Sequence, residues 1–192
     1  MPHLIIFGSP GAGKGTQAKL IATKYNLIHL SSGEMLRQEL KNSEFRYKIK
    51  RYLSAGKLVP DKIIIVMIET HLAKELSGGD FIFDGYPRTI KQAKSLDVFL
   101  KERNIQIDLI INLKLSARDA LKRILLRGKS SGRSDDNKKT TKKRLEVYKK
   151  QTAPLLKYYK KQNKLIDIDG RQEIKKVFKD INLAIKKTMI KR

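Results

Sequence analysis

Apolar residues fall into two alternating patterns along the chain. Short continuous runs at His3–Phe7 (HLIIF), Leu27–Leu30 (LIHL), Phe81–Phe83 (FIF), Leu109–Leu113 (LIINL) and Leu165–Ile168 (LIDI) read as strands buried on both faces, as in a parallel sheet. Between the runs, apolar positions recur every three or four residues. Ala18, Ile21, Ala22 and Tyr25 predict one helix, and Phe45, Ile49, Tyr52 and Leu53 a second that Gly56 terminates. Asp61 is placed to cap a third, carrying Ile64, Ile65, Ile68 and Leu72 before Gly78 and Gly79. Ser116 is placed to cap a fourth, with Ala117, Ala120, Leu121, Ile124 and Leu125, and Ile174, Val177, Phe178, Ile181 and Ile185 mark the last. Five strands alternating with helices predict an α/β fold of three layers around a five-stranded parallel sheet. There is no internal repeat.

Two stretches break the alternation. About fifty residues separate the second and third runs, more than one crossover needs, so residues 31–60 are expected to stand off as a small helical lobe. Residues 127–137, RGKSSGRSDDN, have no apolar anchor and read as a short mobile lid loop. Residues 1–30, 61–126 and 138–192 then form the core of one domain, the number that 192 residues favour.

The first strand runs straight into GSPGAGKGTQ, residues 8–17. Gly8, Gly13 and Lys14 meet the phosphate-binding pattern G-x-x-x-x-G-K, and the strand before and helix after are the context that pattern requires. Glycines keep side chains away from a cradle of backbone N–H groups at a helix N-terminus, and Lys14 brings a positive charge to the terminal phosphates. The hydroxyl that usually follows the lysine is displaced: Gly15 stands there, and Thr16 comes one place later. A metal ion is therefore expected to lean on water, Thr16 and a nearby carboxylate. Asp84, at the carboxyl end of FIFD, is the candidate, because ligands of open α/β sheets bind at the carboxyl ends of strands.

Arg123 and Arg127 lie four residues apart, on one helix face and within reach of one ligand. Arg88 follows Pro87 in a tight segment directly after Asp84. His29 and His71 sit in apolar sequence surroundings and are expected to pack, while His3 begins a strand, so a histidine base is not indicated.

Composition narrows the classes. Without cysteine there is no disulfide, thiol chemistry or cysteine zinc site. No run approaches roughly 18 apolar residues, and MPHLIIFGSP carries neither a basic leader nor a small-residue cleavage site, so the expectation is a soluble, cytoplasmic protein without membrane attachment. Net charge is +24, from 43 Lys and Arg against 19 Asp and Glu. The 31 lysines are dispersed and read as solvated helix faces, and aromatics to interleave with them are few, so no specific nucleic-acid partner is expected.

The motifs GSPGAGKGTQ, SSGEMLR (31–37), GKLVPD (56–61), DGYPRT (84–89) with Gln92, RILLRG (123–128), SGRSDD (131–136) and KKRLEVY (142–148) follow in the order and spacing of adenylate kinases. The chain resembles the short-lid members of that family along nearly its whole length. In that family the P-loop normally has glycine after the lysine. The resemblance implies reversible transfer of the terminal phosphoryl group from ATP, bound with Mg²⁺, to AMP, giving two ADP; a monomer is expected because the elements already account for one closed core.

It also implies site residues. Gly11, Ala12, Gly13, Lys14, Gly15 and Thr16 would hold the donor phosphates, with Arg127 beside them, and the backbone near Gln172 would meet the donor adenine. Ser32, Gly33, Arg37, Lys57, Leu58, Val59, Gly85, Tyr86, Pro87, Arg88 and Gln92 would form the AMP site. Arg123, Arg127, Arg133 and Arg144 would close around the phosphates. Lys14, Arg88, Arg123, Arg133 and Arg144 are the expected catalytic set, with Arg133 and Arg144 also contacting AMP, and Thr16 and Asp84 the expected Mg²⁺ contacts through water. Ser32-Gly33 and Thr89 differ from the residues typical of UMP/CMP kinases, the alternative reading, and Gln92 is suited to the Watson–Crick edge of adenine. Glu34 departs from the family's usual aspartate. Two further readings compete with a kinase: a basic nucleic-acid module, and a P-loop hydrolase without an acceptor.

Overall fold

The computed structural model describes residues 2–42, 46–75, 79–133 and 135–190, so Phe45 and Gly78 of the predicted helices lie outside the described residues. Each apolar run forms a strand: β1 (Leu4–Gly8), β2 (Ile28–Ser31), β3 (Phe81–Asp84), β4 (Leu109–Lys114) and β5 (Leu165–Asp169). They pair in parallel in the order β2-β3-β1-β4-β5. Register sets Ser31 opposite Asp84 and Asp84 opposite Ile6, so the carboxyl ends of β2, β3 and β1 lie side by side.

Strand residues alternate between two cores because successive side chains point to opposite faces. Ile5, Phe7, Phe81, Phe83 and Ile110 face one layer. It is closed by Ile49 of α3 (Arg46–Ser54), Ile64, Ile68 and Leu72 of α4 (Asp61–Glu75), Ala93, Leu96 and Leu100 of α5 (Ile90–Lys101), and Leu155 and Tyr159 of α8 (Pro154–Lys160). Leu4, Ile6, Ile82, Leu109 and Ile111 face the other, closed by Ala18 and Ile21 of α1 (Lys14–Tyr25) and Val177, Ile181 and Ile185 of α9 (Ile174–Ile190). The result is the expected three-layer sandwich.

The predicted caps fare differently. Ser116 caps α6 (Ala117–Ser131), its hydroxyl accepting the Asp119 N–H at 3.0 Å. Gly56, at φ +66°, ends α3 in the left-handed conformation. Asp61 instead begins α4 and turns its carboxylate to α5. The helix α2 (Ser32–Asn42) and α3 occupy the stretch expected to be a helical lobe. Residues 127–131 are not loop: α6 continues to Ser131 and ends at Gly132 in a left-handed turn. After α7 (Lys138–Val147) the chain passes through a π-helical segment, Tyr148–Thr152, into α8. His71 is exposed on α4, one residue off the Ile64–Ile68–Leu72 stripe, and so does not pack in the core.

Candidate active site

The loop after β1 is shaped by contacts as much as by glycine freedom. Gly11 has φ +83°, and a Cβ there would stand 2.8 Å from the Ala120 carbonyl oxygen, so the loop lies directly on α6. Helix α1 opens at Lys14 behind Gly13, which offers no side-chain cap, and no acid stands in its first turn. Its first N–H groups and the helix dipole are left to an anion. Lys14 curls back over the loop, Nζ donating to the Gly8 and Ser9 carbonyls at 2.8 and 3.0 Å. Burial pulls this ammonium down to about 8; Asp84 opposes the shift, while Arg88, Arg144 and Arg127 add to it.

A Cβ on Gly15 would lie 3.3 Å from Asp84 Oδ2, a tight contact, so the position that usually carries a hydroxyl is kept bare where α1 passes the end of β3. Asp84 takes over at that spot. Burial pushes its carboxyl up, but the His29 imidazole and the Lys14 and Arg88 cations outweigh burial and hold it below the ordinary range. His29 Nε2 stands 3.7 Å away, too far for a hydrogen bond, and the Ser31 hydroxyl donates to Oδ2 at 3.4 Å. Among the described residues no three His, Cys, Asp or Glu side chains gather into a metal centre. One carboxylate beside hydroxyls nonetheless fits Mg²⁺, which keeps several waters and leans on substrate phosphates. Thr16 is exposed and lines the same cavity as Asp84, while Glu34, also on its lining, is drawn to Lys19 at 2.8 Å.

Two cavities meet over this point. One, of about 410 Å³, is walled by the loop, Asp84, Arg123, Arg127 and Arg133. The other, of about 120 Å³, is walled by Leu36, Leu53, Lys57, Leu58 and Pro87. Lys14, Arg37, Arg88 and Arg144 line both. Four cations at one junction repel each other, and the burial and mutual charge show: Arg88 is lowered to about 10, by burial first and then by Arg144, and Arg37 is lowered by burial and by Arg133. Such a cluster suits ligands that bring their own negative charge.

The expected acceptor residues divide. Gly33, Arg37, Lys57, Leu58, Gly85, Pro87 and Arg88 line the smaller cavity. Val59 and Tyr86 line neither cavity: both are core residues, 3% and 0% exposed. Ser32 is buried, its hydroxyl donating to the Gly85 carbonyl at 2.6 Å. Gln92 is buried too, with Oε1 accepting from the Arg88 N–H and Nε2 donating to Asp61 Oδ1, both at 2.7 Å. The peptide between Tyr86 and Pro87 is cis.

The arginines after β4 do not all aim at one point. Arg123 donates to the carbonyls of Gly170 and Arg171 at 2.8 and 3.2 Å, binding the loop before Gln172, whose Nε2 donates to Asp180 Oδ2 at 2.9 Å. Arg127, four residues on, instead makes a fork with Asp136, Nε to Oδ2 and Nη2 to Oδ1, both at 2.7 Å. Arg144 Nη1 donates to Asp135 Oδ2 and Asp136 Oδ1, each at 3.0 Å. All of them line the larger cavity with Arg133.

Four residues join the site that motif reading missed. Asp135 and Asp136 hold the arginines; their signal was in SGRSDD, where the acids follow an arginine-bearing turn. Asp61 holds Gln92. Thr152, in the π-helical segment, donates its hydroxyl to the Arg88 carbonyl at 3.0 Å, a contact across 64 residues that no local pattern announces.

Comparison with known proteins identifies the family. Residues 6–164 match the adenylate kinase family. The chain is 45% identical over 186 residues to an adenylate kinase of Parabacteroides distasonis, covering 96% of this chain and 98% of that one. It is 42% identical over 186 residues to that of Bacteroides fragilis, with the same coverage, and 43% over 184 residues to that of Phenylobacterium zucineum, covering 95% and 97%. With the phosphate loop, the paired cavities and the arginines between them all inside the matched span, the chain belongs to the adenylate kinase family.

Proposed function

We propose that the protein catalyses reversible, Mg²⁺-dependent transfer of the terminal phosphoryl group of ATP to AMP, giving two ADP. The observation that carries this reading is the shared wall: four cations, Lys14, Arg37, Arg88 and Arg144, belong at once to the cavity of the phosphate loop and to its smaller neighbour. A hydrolase without an acceptor has no use for the second cavity. The UMP/CMP kinase alternative is not favoured by family membership.

Two polyphosphates brought end to end repel, so the chemistry is positioning and charge neutralisation. An oxygen of the AMP phosphate attacks the terminal phosphorus of ATP, the bond from that phosphorus to the bridging oxygen breaks, and ADP leaves. The attacking oxygen is already deprotonated, and no general base is needed. Lys14 and the N–H groups at the start of α1 hold the donor phosphates. Arg88 and Arg37 hold the acceptor phosphate, and Arg127, Arg133 and Arg144 meet charge on the group in transit. Arg123, on the lining of the larger cavity, also holds the donor-base loop near Gln172 while it meets the phosphates. Mg²⁺, bound with ATP through Asp84, Thr16 and water, would neutralise charge on the donor phosphates.

Residues 31–60 and 127–137 are proposed to close over the two nucleotides and exclude water. They already touch through α7: Thr140 donates to the Ser54 carbonyl at 3.2 Å. Among the described residues no helix is long and apolar enough to cross a membrane. A cytoplasmic monomer without a specific nucleic-acid partner is the reading that the family and the dispersed lysines support. The test is phosphoryl transfer from MgATP to AMP, UMP, CMP and dAMP in parallel. Rapid ADP formation with AMP is expected, and preference for UMP or CMP would overturn the acceptor assignment.

A further inference from the structure

Gln92 stands on the first turn of α5, 1% exposed, behind the segment that lines the smaller cavity. Its amide meets two partners of fixed and opposite polarity. The Arg88 N–H only donates, and takes Oε1; the Asp61 carboxylate accepts, and takes Nε2. An amide turned by 180° keeps its shape but would set oxygen against carboxylate oxygen and NH₂ against N–H. Both hydrogen bonds would become repulsions. Asp61 is itself held, because the Thr89 hydroxyl donates to Oδ2 at 3.0 Å while accepting the Gln92 N–H at 3.2 Å. The result is a closed ring joining the start of α4 to the start of α5.

We infer that Asp61 is a positioning residue for acceptor specificity: by fixing Nε2 it fixes the order in which Gln92 presents its remaining N–H and its remaining oxygen lone pair. That order complements a base edge with an acceptor ring nitrogen beside an amino donor, and opposes one with a ring N–H beside a carbonyl. Adenine has the first edge. Hypoxanthine, of nearly identical size and shape, has the second. This rests on the adenylate kinase reading above. It assigns the discrimination between the two purines to a carboxylate that touches neither.

The test is Asp61→Asn, whose amide accepts or donates and so removes the stronger of the two repulsions against a turned Gln92, leaving only the one at the Arg88 N–H, with Asp61→Ala as a second variant. The readout is the ratio of kcat/KM for AMP to that for inosine monophosphate, with ATP as donor. This ratio cancels any loss of folded enzyme, which a merely structural role would produce. The expected result is a fall in the ratio of at least about tenfold in both variants, with KM for ATP within about twofold of wild type, since a site built to bond a polar edge loses most of its discrimination when its partners turn. An unchanged ratio in a wild-type background that uses AMP overturns the inference alone. A wild type that does not use AMP overturns the reading beneath it and the inference together.

Discussion

Replacing Asp136 by asparagine tests whether the arginines between the cavities are held by this one carboxylate. The Asp136 side chain is wholly buried and takes three charge-assisted bonds of 3.0 Å or less, two from Arg127 and one from Arg144. Oδ1 takes two of the three and Oδ2 one, so asparagine with its amide oxygen at the Oδ1 position loses one bond outright, where its NH₂ faces Arg127 Nε, and keeps two without the carboxylate charge, at about half their strength. Each bond to the carboxylate is worth ~1.5–3 kcal/mol. Arg127 and Arg144 keep 36% and 23% of their side chains exposed, and water recovers part of the loss, which selects the low end and ~3 kcal/mol in total. For a chain of this size ~1 kcal/mol moves Tm by about 2–4 °C, so calorimetry at pH 7 should find the variant lower by about 6–12 °C.

The pH dependence has a definite sign. Burial pushes the Asp136 carboxyl up, but the hydrogen bond from Arg127 and the charges of Arg127 and Arg144 bring it below the ordinary value. A carboxyl depressed on folding stabilises above its unfolded value, about 3.9, and that stabilisation is lost as pH falls through the folded value. The Tm gap between wild type and variant should be full at pH 7 and shrink below about pH 4. A gap under about 2 °C at pH 7, or one that persists undiminished at pH 3, would refute the reasoning.

Lys14→Met should lower transfer by about 10²–10³-fold with little change in Tm, and turnover within tenfold of wild type would remove Lys14 from its role. Arg88→Ala should do comparable damage to the rate while losing about 1 kcal/mol of stability with the 2.6 Å bond from Nε to Gly85, as urea titration would show. In Gly85→Ala the new Cβ, at φ +75°, would stand 2.8 Å from Arg88 Nη2 and 3.0 Å from Ser32 Oγ, so KM for AMP should rise several-fold while KM for ATP stays level in steady-state assays. Thr152→Val leaves the Arg88 carbonyl without its donor and should cost about 1–2 kcal/mol in urea titration; an unchanged midpoint would make that bond incidental.

The strands, the phosphate loop and five of the helices were legible because each shows a period or a glycine pattern that local physics requires. Residues 138–160 show none. Helix α7 turns Thr140 and Thr141, not an apolar stripe, toward the interior, and the π-helical segment then shifts the helical phase before Leu155 and Tyr159 reach the core. The polar run after Arg127 reads as loop, yet α6 continues through it, with Gly128 bare because a Cβ would fall 2.6 Å from the Asp136 carbonyl oxygen. In the site, Lys14, Asp84 and Arg88 were legible because each sits at a fixed offset from glycine or a strand end. Asp61 and Thr152 were not, since their partners lie 28 to 64 residues away in sequence and only the fold brings them together. The ring that holds the Gln92 amide was not legible either.

The clamp on Arg127 has a kinetic consequence. Its carboxylate is only nine residues along the chain, and Arg144 reaches back to Asp135 and Asp136 over nine and eight. A segment of that length finds its own ends again in roughly 10–100 ns, far inside the microsecond-to-millisecond range of lid motion. Reclosing is therefore never limited by search. The lifetime of the clamp is set by the escape of two guanidinium groups from two aspartates, so added salt should hasten its opening while leaving recapture nearly unchanged.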